Sequence, residues 1–446
     1  MFQASCSSFP TSCRRVILFA CLLLVTVWLL VQVTAVGQQP ETESKESEVY
    51  RPTKGKFPAL DKAHSYRGEL VFVDHANRRG SIRIQGDGKF RFTSPHPFVM
   101  LPYGMVRYRG AAADLRDIPL GTMLHVQAFL PPDPEISAVP VLPFDNRNRK
   151  AGNAGTGTAP AENHVLLLQD EPSYCQSKGE VWKLKEVDVA NKQGFVVASR
   201  SGKAQDADMG REEKMTFDAA TRIWRGREYL GVEDLIAEGT WPANGNKSLD
   251  GQAVLLGITW KPTPGGVFTR FHISDIWLDD EAIERATRNQ NETHKAFIRS
   301  RWMPAWVDQV EYGKFGRATV TVTLFGGMDD SLYADFKKGT QALLAASENT
   351  LKHWAGGTAG TVQMASRGPI LDVMKVDGEP PLGSSGIQIR FEADLITEGI
   401  RPARVVRVRP AVWPDVHVPR EEYLKDSSAG HEDRFPTPSI FPHYGR

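Results

Sequence analysis

Apolar positions in this chain recur mostly with period two, in short runs broken by glycine, proline and asparagine. That pattern predicts β-strands joined by tight turns. Residues 68–74 (GELVFVD) and 80–84 (GSIRI) flank an Asn-Arg-Arg-Gly turn and read as a hairpin, with strands following at 106–109 and 122–129. A second set begins at 179–187 (GEVWKLKEV) and continues at 195–198. Residues 268–277 predict a strand that feeds a surface helix. Asp279, Asp280 and Glu281 lie at its start, where negative charge suits the helix dipole. Ile283, Ala286, Ala296 and Phe297 form a thin apolar stripe, Arg299 and Arg301 sit near the end, and Pro304 stops the helix. Beyond it, residues 310–325 read as another hairpin and 332–354 as a helix by apolar spacing. Residues 387–393 and 404–409 are later strands.

Two short motifs repeat. DHANRRG at 74–80 recurs as DVANKQG at 188–194, and VRYRG at 106–110 aligns with RIWRG at 222–226. The offsets are 188 − 74 = 114 and 226 − 110 = 116, close enough to predict a duplicated β module. The strand pattern places the first module at 64–131, a linker at 132–176 and the second module at 177–262. A strand and connecting helix follow at 263–305, and a third β module with a helical insert at 306–413. The third copy shares the placing of its hairpin but no motif. An extended tail fills 414–446.

The first residues read differently. Residues 16–31 are apolar apart from Thr26, with Arg14 and Arg15 before them. Two readings stand: a signal peptide cleaved near Ala35, or a signal anchor spanning 16–36. Both export the body, because the arginines stay on the cytoplasmic side. The expected location is the cell envelope: a single-pass membrane protein with an N-terminal apolar helix, or a periplasmic or secreted protein if the leader is cleaved. Residues 37–63 are polar and proline-dotted and read as a flexible stalk.

Composition narrows the partners. The 446 residues carry 54 basic and 53 acidic side chains. Without Arg14 and Arg15 the body has 52 − 53 = −1, so no long-range field draws in nucleic acid. Three cysteines lie in or before the leader, which leaves Cys175 alone in the body and no intramolecular disulfide there.

Catalytic signatures are missing: there is no HExxH, GxSxG, P-loop or CxxC. The histidines share no short metal-ligand spacing, so no metal and no cofactor are expected. The pairs Asp279-Asp280 and Asp329-Asp330 read first as helix-start charge, with a divalent-cation role for the second as the alternative. Four arginines, Arg390, Arg404, Arg407 and Arg409, cluster on neighbouring strands as a candidate anion site, or as a solvated strand face. Tyr108-Arg109 and Trp224-Arg225 occupy matching places in the repeat. They are candidate ligand platforms, with core packing as the competing reading.

The strand-turn-strand opening, the later aromatic strand and the glycine that closes it resemble the small OB-fold-like barrels found in tandem in exported bacterial proteins of unknown function. The resemblance covers about half the chain. It implies five-stranded, partly open barrels, a fold whose members bind oligosaccharides, oligonucleotides or proteins, and it carries over no catalytic residue. The expectation is a mainly β protein of three small barrels in tandem, acting as a non-enzymatic binding or scaffold protein for a polymer or protein ligand at the cell envelope. The alternatives are a hydrolase with its site around Asp329, Asp330 and Arg390, and a structural spacer.

Overall fold

The computed structural model describes residues 50–75, 78–85, 95–129, 139–140, 158–159, 163–203, 210–262, 269–345, 365–394, 396 and 400–414. The leader at 1–36, most of the tail at 414–446, and His353 and Trp354 lie outside the described residues. Among the described residues, no helix is long and apolar enough to cross a membrane. The chain is mainly β, and its strands close into three barrels.

The first barrel uses β1 (His64–Asp74), β2 (Arg79–Ile84), β3 (His96–Tyr108), β4 (Ala111–Ala113) and β5 (Met123–Phe129). A two-stranded ribbon, β6 (Val139–Pro140) with β7 (Thr158–Ala159), precedes the last barrel strand, β8 (Asn163–Asp170). Antiparallel pairings run β1–β2, β2–β3, β5–β8 and β1–β5. β8 then inserts parallel to β3 and closes five strands, while β4 pairs only with the end of β3. Leu70, Ile82, Phe98, Leu124, Val126, Val165 and Leu168 fill the interior.

A short helix α1 (Glu171–Lys178) leads into the second barrel. Its strands are β9 (Glu180–Ala190), β10 (Gln193–Gly202), β11 (Glu212–Phe217), β12 (Arg222–Arg225) and β13 (Glu228–Leu230). After helix α2 (Val232–Ala237) come β14 (Gly245–Pro262) and β15 (Thr269–Trp277). The connections repeat those of the first barrel. β9–β10, β10–β11, β9–β14 and β14–β15 are antiparallel, and β15 closes parallel to β11 and β12. The duplication is therefore one of topology, with β11 and β12 together matching β3.

The hairpin glycines show what the repeated motif does. Gly80 faces Phe98 across the sheet, and Gly194 faces Phe217. A Cβ on Gly80 would meet the Phe72 carbonyl oxygen at 2.3 Å, and one on Gly194 would meet that of Asp188 at 1.8 Å. Neither strand could curl this tightly with a side chain at that position. The first halves of the two motifs do not correspond, however. Asp74 pairs with Arg79 beside the turn, whereas Asp188 pairs with Phe195 two positions further back, because the second turn is shorter.

Helix α3 (Asp280–Arg301) follows, capped by Asp279, whose side chain accepts from the Ala282 amide. The third barrel comprises β16 (Met303–Tyr312), β17 (Ala318–Phe325), β18 (Gln341–Ala345), β19 (Ser366–Lys375), β20 (Ser384–Ala393) and β21 (Val405–Pro410), closed in the order β16-β17-β20-β19-β18-β21. It has six strands, and its pairings are all antiparallel, so it is not a third copy of the first two.

Several expectations are corrected. The span 132–176 is not all linker, since β8 within it closes the first barrel. The second barrel ends at Trp277, not at 262, because β15 is its closing strand. A parallel partner from beyond a long excursion leaves no local trace in the strand pattern. The helix expected over 332–354 is only one turn, α4 (Asp330–Ala334), after which Gln341–Ala345 is the strand β18. Leu332, Ala342 and Leu344 are all buried, and their spacing suits either element. The end of the expected stalk is also ordered: Phe57 packs edge-on against Tyr103 and at a tilt against Trp306, at 5.0 and 4.8 Å between ring centroids. Together with Phe325 and Leu166 these rings join the first barrel to the third.

Candidate functional site

Tyr108 and Trp224 do not occupy equivalent positions. Tyr108 pairs with Ala111 to close the turn at 109–110, whereas the turn at 226–227 is closed by Arg225 pairing with Glu228. The place matching Tyr108 is thus Arg225, one residue beyond Trp224, and a shift of one residue turns a side chain to the other face. Tyr108 is 8% exposed and belongs to the core of the first barrel, with the Arg109 guanidinium 4.9 Å from its ring centre. Trp224 is half-buried; its indole Nε1 donates to Asp275 Oδ1 at 3.1 Å, and its ring lies 5.4 Å from the exposed Tyr229. Arg225 forks onto Glu238 at 3.0 and 2.8 Å.

The arginines expected to form a basic strand face are dispersed. Every residue of β21 is buried, because Val406 and Val408 point into the barrel while the other face is covered. Arg407 donates to the Trp302 carbonyl at 3.3 Å. Arg409 donates to that of Trp413 at 2.6 Å and lies over the Trp302 ring. Arg390 instead pairs with Glu311 on the surface at 3.0 Å, and Arg404 sits just before β21. Nor do Asp329, Asp330 and Arg390 converge. Asp329 caps α4 by accepting from the Ser331 amide, while Arg390 sits opposite Thr321, four residues before the end of β17. That separation is about 13 Å along the strand.

Between the first two barrels lies a buried ionic cluster that the sequence did not advertise. Glu171, at the first turn of α1, is 1% exposed. Its Oε2 accepts from Arg67 Nη2 and pairs with His125 Nε2, each at 2.7 Å, and its Oε1 accepts from Trp182 Nε1 at 3.0 Å. Burial opposes its charge, but Arg67, His125 and Arg200 outweigh burial and hold the carboxyl well below the usual carboxylate range. A carboxylate only accepts, so His125 carries its proton on Nε2. Burial pushes the His125 pKa down, and the ring stacks on Tyr174 at 3.7 Å. The Cys175 thiol donates to Glu171 Oε1 at 3.7 Å, and burial raises its pKa. A buried protonated thiol is a poor nucleophile, so the cluster joins barrels and does not activate sulfur.

Another polar chain lies where the second barrel closes. Thr216 Oγ1 is 3.0 Å from His272 Nδ1, and Lys261 Nζ is 2.8 Å from His272 Nε2 and 2.9 Å from Asp218. An ammonium only donates, so Nε2 accepts from Lys261 and Nδ1 holds the ring proton. The imidazole is then a donor toward Thr216 and takes no proton from it. Burial, with Lys261 beside it, pushes His272 down to about 4.

Two surfaces remain that suit a ligand. On the outer face of β10 and β11, Phe195 is half-buried, with the Lys214 ammonium 3.2 Å from its ring centre. The second is a cleft of about 80 Å³ between the first barrel, α3 and the third barrel, lined by Arg78, Arg116, His294, Phe297, Met328 and Arg407 among others. Arg78 donates to the carbonyls of Pro102 and Gly104 at 2.5 and 2.7 Å. Arg116 lies 4.4 Å over the Phe297 ring. Among the described residues, no group of three or more His, Cys, Asp or Glu is placed to hold a metal ion. No protein-family model, curated protein or solved structure matches this chain.

Proposed function

We propose that the chain is a non-enzymatic binding and scaffold protein of the cell envelope, in which joined barrels present an outer sheet face to a polymer. The strand order of the first two barrels, with the last strand parallel to the third, resembles the OB barrel, whose binding surface is the face of strands two and three. In the second barrel that face is β10 and β11. The observation that carries the reading is Phe195: it turns away from a core that Val196 and Ala198 fill, and it is overlaid by Lys214. An aromatic ring with an adjacent ammonium suits the apolar face and hydroxyls of a sugar. The body's near-neutral charge disfavours nucleic acid as the polymer. The buried cluster around Glu171 and the rings around Trp306 supply the rigidity that a scaffold needs.

Titration with neutral envelope oligosaccharides, followed by amide chemical shifts, tests this reading. Shifts confined to β10 and β11 that vanish in Phe195→Ala are expected. Saturable binding that leaves this face unshifted, or no binding to any glycan tested, overturns it.

A further inference from the structure

The hairpin that joins β16 to β17 carries side chains that the fold does not use. Toward its end β16 turns outward: Gln309, Glu311 and Tyr312 are exposed, Tyr312 by 71%. The turn beyond is tight. The Arg317 amide donates to the Lys314 carbonyl at 3.3 Å, and the Gly313 amide donates to that of Arg317 at 2.8 Å. Both central residues, Phe315 and Gly316, have positive φ, at 60° and 76°. A two-residue hairpin turn of this kind favours Asn-Gly, because a bulky side chain at positive φ is strained. Phe315 holds that place all the same, and it is 97% exposed. The ring strains the turn and adds no burial to the barrel.

The setting of the ring selects what covers it. Lys314 has no carboxylate partner among the described residues. Arg317 meets Glu392 at 3.9 Å, both side chains exposed, and such a pair is weak in water. Glu311 is already held by Arg390. Three cations therefore stand against two carboxylates at this end of the third barrel. A convex tip of two rings buries at most about 500 Å². A stable protein interface needs roughly 800 Å² on each side. A lipid surface needs no matching pocket: aromatic rings settle at its interface, and basic side chains meet anionic headgroups.

We propose that this tip inserts into an anionic lipid surface, with Phe315 and Tyr312 at the boundary of headgroups and acyl chains and Lys314 and Arg317 on the lipid phosphates. The proposal rests on the envelope location proposed above and not on the glycan, since the tip shares no residue with β10 and β11. Its failure would leave the glycan titration at Phe195 free to succeed.

The test places 4-fluorophenylalanine at position 315 of the full chain and, in a second sample, at position 195. Each is mixed with bilayer discs of equal parts phosphatidylcholine and phosphatidylglycerol, with and without a nitroxide on the acyl chain. The nitroxide should broaden the fluorine signal of position 315 and spare that of position 195. With the fluorinated ring moved to position 312, Phe315→Asn should lower the ratio of inserted to free tip roughly tenfold or more, and so should Lys314→Glu combined with Arg317→Glu. Asparagine suits the turn better than phenylalanine, so the Phe315→Asn chain should melt no lower than the parent, which separates lost insertion from lost folding. A signal at position 315 that the nitroxide leaves sharp overturns the proposal. So does equal broadening at position 195, or equal insertion into discs of phosphatidylcholine alone. Broadening that grows with protein concentration in the absence of lipid also overturns it, because a second copy of the chain would then cover the tip.

Discussion

Asp170 and Asp279 perform the same two tasks in successive barrels. Asp170 is the last residue of the first barrel's closing strand and Asp279 lies two residues beyond the second's; each caps the helix that follows and holds the turn of a neighbouring hairpin. Asp170 accepts from the amides of Ser173 and Arg109 at 3.0 and 2.9 Å. Asp279 accepts from those of Ala282 and Gly226 at 2.8 and 2.9 Å. Their separation, 279 − 170 = 109, differs from the motif offsets, so the correspondence emerges only from the shared hydrogen bonds.

Removing either cap has a graded cost. Asp279→Ala should destabilise the chain by about 1–2 kcal/mol, and Asp279→Asn by less, since it keeps an acceptor. Asp170→Ala should cost more, because Asp170 is buried and its loss strands two amides. Guanidinium unfolding midpoints of the three variants should follow that order.

Glu171 is the most sensitive single position between the first two barrels. Glu171→Leu leaves Arg67 buried without its counter-ion and should cost about 3–5 kcal/mol. Glu171→Gln keeps an acceptor for Trp182 and should cost less. Thermal unfolding would show the ranking, and a Glu171→Leu chain as stable as the parent would refute a joining role for the cluster.

Stability should fall as pH drops below about 6.5. Burial pushes His164 and His294 down to about 4, and His272 as well with help from Lys261. Between pH 6.5 and 4 these rings are protonated in the unfolded chain and neutral in the folded one, so acid favours unfolding. Burial pushes Asp170 the other way, up to about 6, and its share of stability rises as pH falls through that window. Burial also lowers His125 and raises Asp117 and Asp308, so four histidines outweigh three aspartates. Below pH 4 the lowered Glu171 adds a further loss. Urea midpoints across pH 4–8 should decline toward acid, and His164→Gln should flatten the decline.

The curl glycines should tolerate nothing larger. Gly194→Ala would place Cβ against the Asp188 carbonyl and should destabilise by at least about 2 kcal/mol, with Gly80→Ala similar. Calorimetric melting of each single variant provides the check.

The Cys175 thiol should resist modification until the chain opens. In a chain with Cys6, Cys13 and Cys21 replaced by serine, a thiol reagent should label Cys175 only in denaturant. Labelling at the same rate in native buffer would contradict the burial.

How much was legible follows from what each signal depends on. The hairpins and α3 could be read because their causes are local: alternation, turn residues, and the charge at Asp279, Asp280 and Glu281. The parallel closures by β8 and β15 could not, since the partner strand lies far along the chain and period two does not say which neighbour a strand chooses. The matching words at Tyr108 and Trp224 misled by one residue, enough to exchange core for flank. At Arg407 and Arg409 the alternating arginines imitate a solvated face, and only the carbonyls of Trp302 and Trp413 reveal why they are inside. His294 and Glu171 carried no signal, because each depends on side chains from separate barrels.

Helix α3 leaves the second barrel at Asp279, touches the first through Thr287 and Gln290, and hands the chain to the third at Met303. It therefore acts as a phase-setting axle. One residue inserted after Gln290 would advance everything beyond it by about 1.5 Å and turn it by about 100°. His294 and Phe297 would swing away from Arg116, and the third barrel would no longer meet the rings at Tyr103 and Phe57. Helix length, counted in single residues, is thus the setting that keeps the three barrels facing one another.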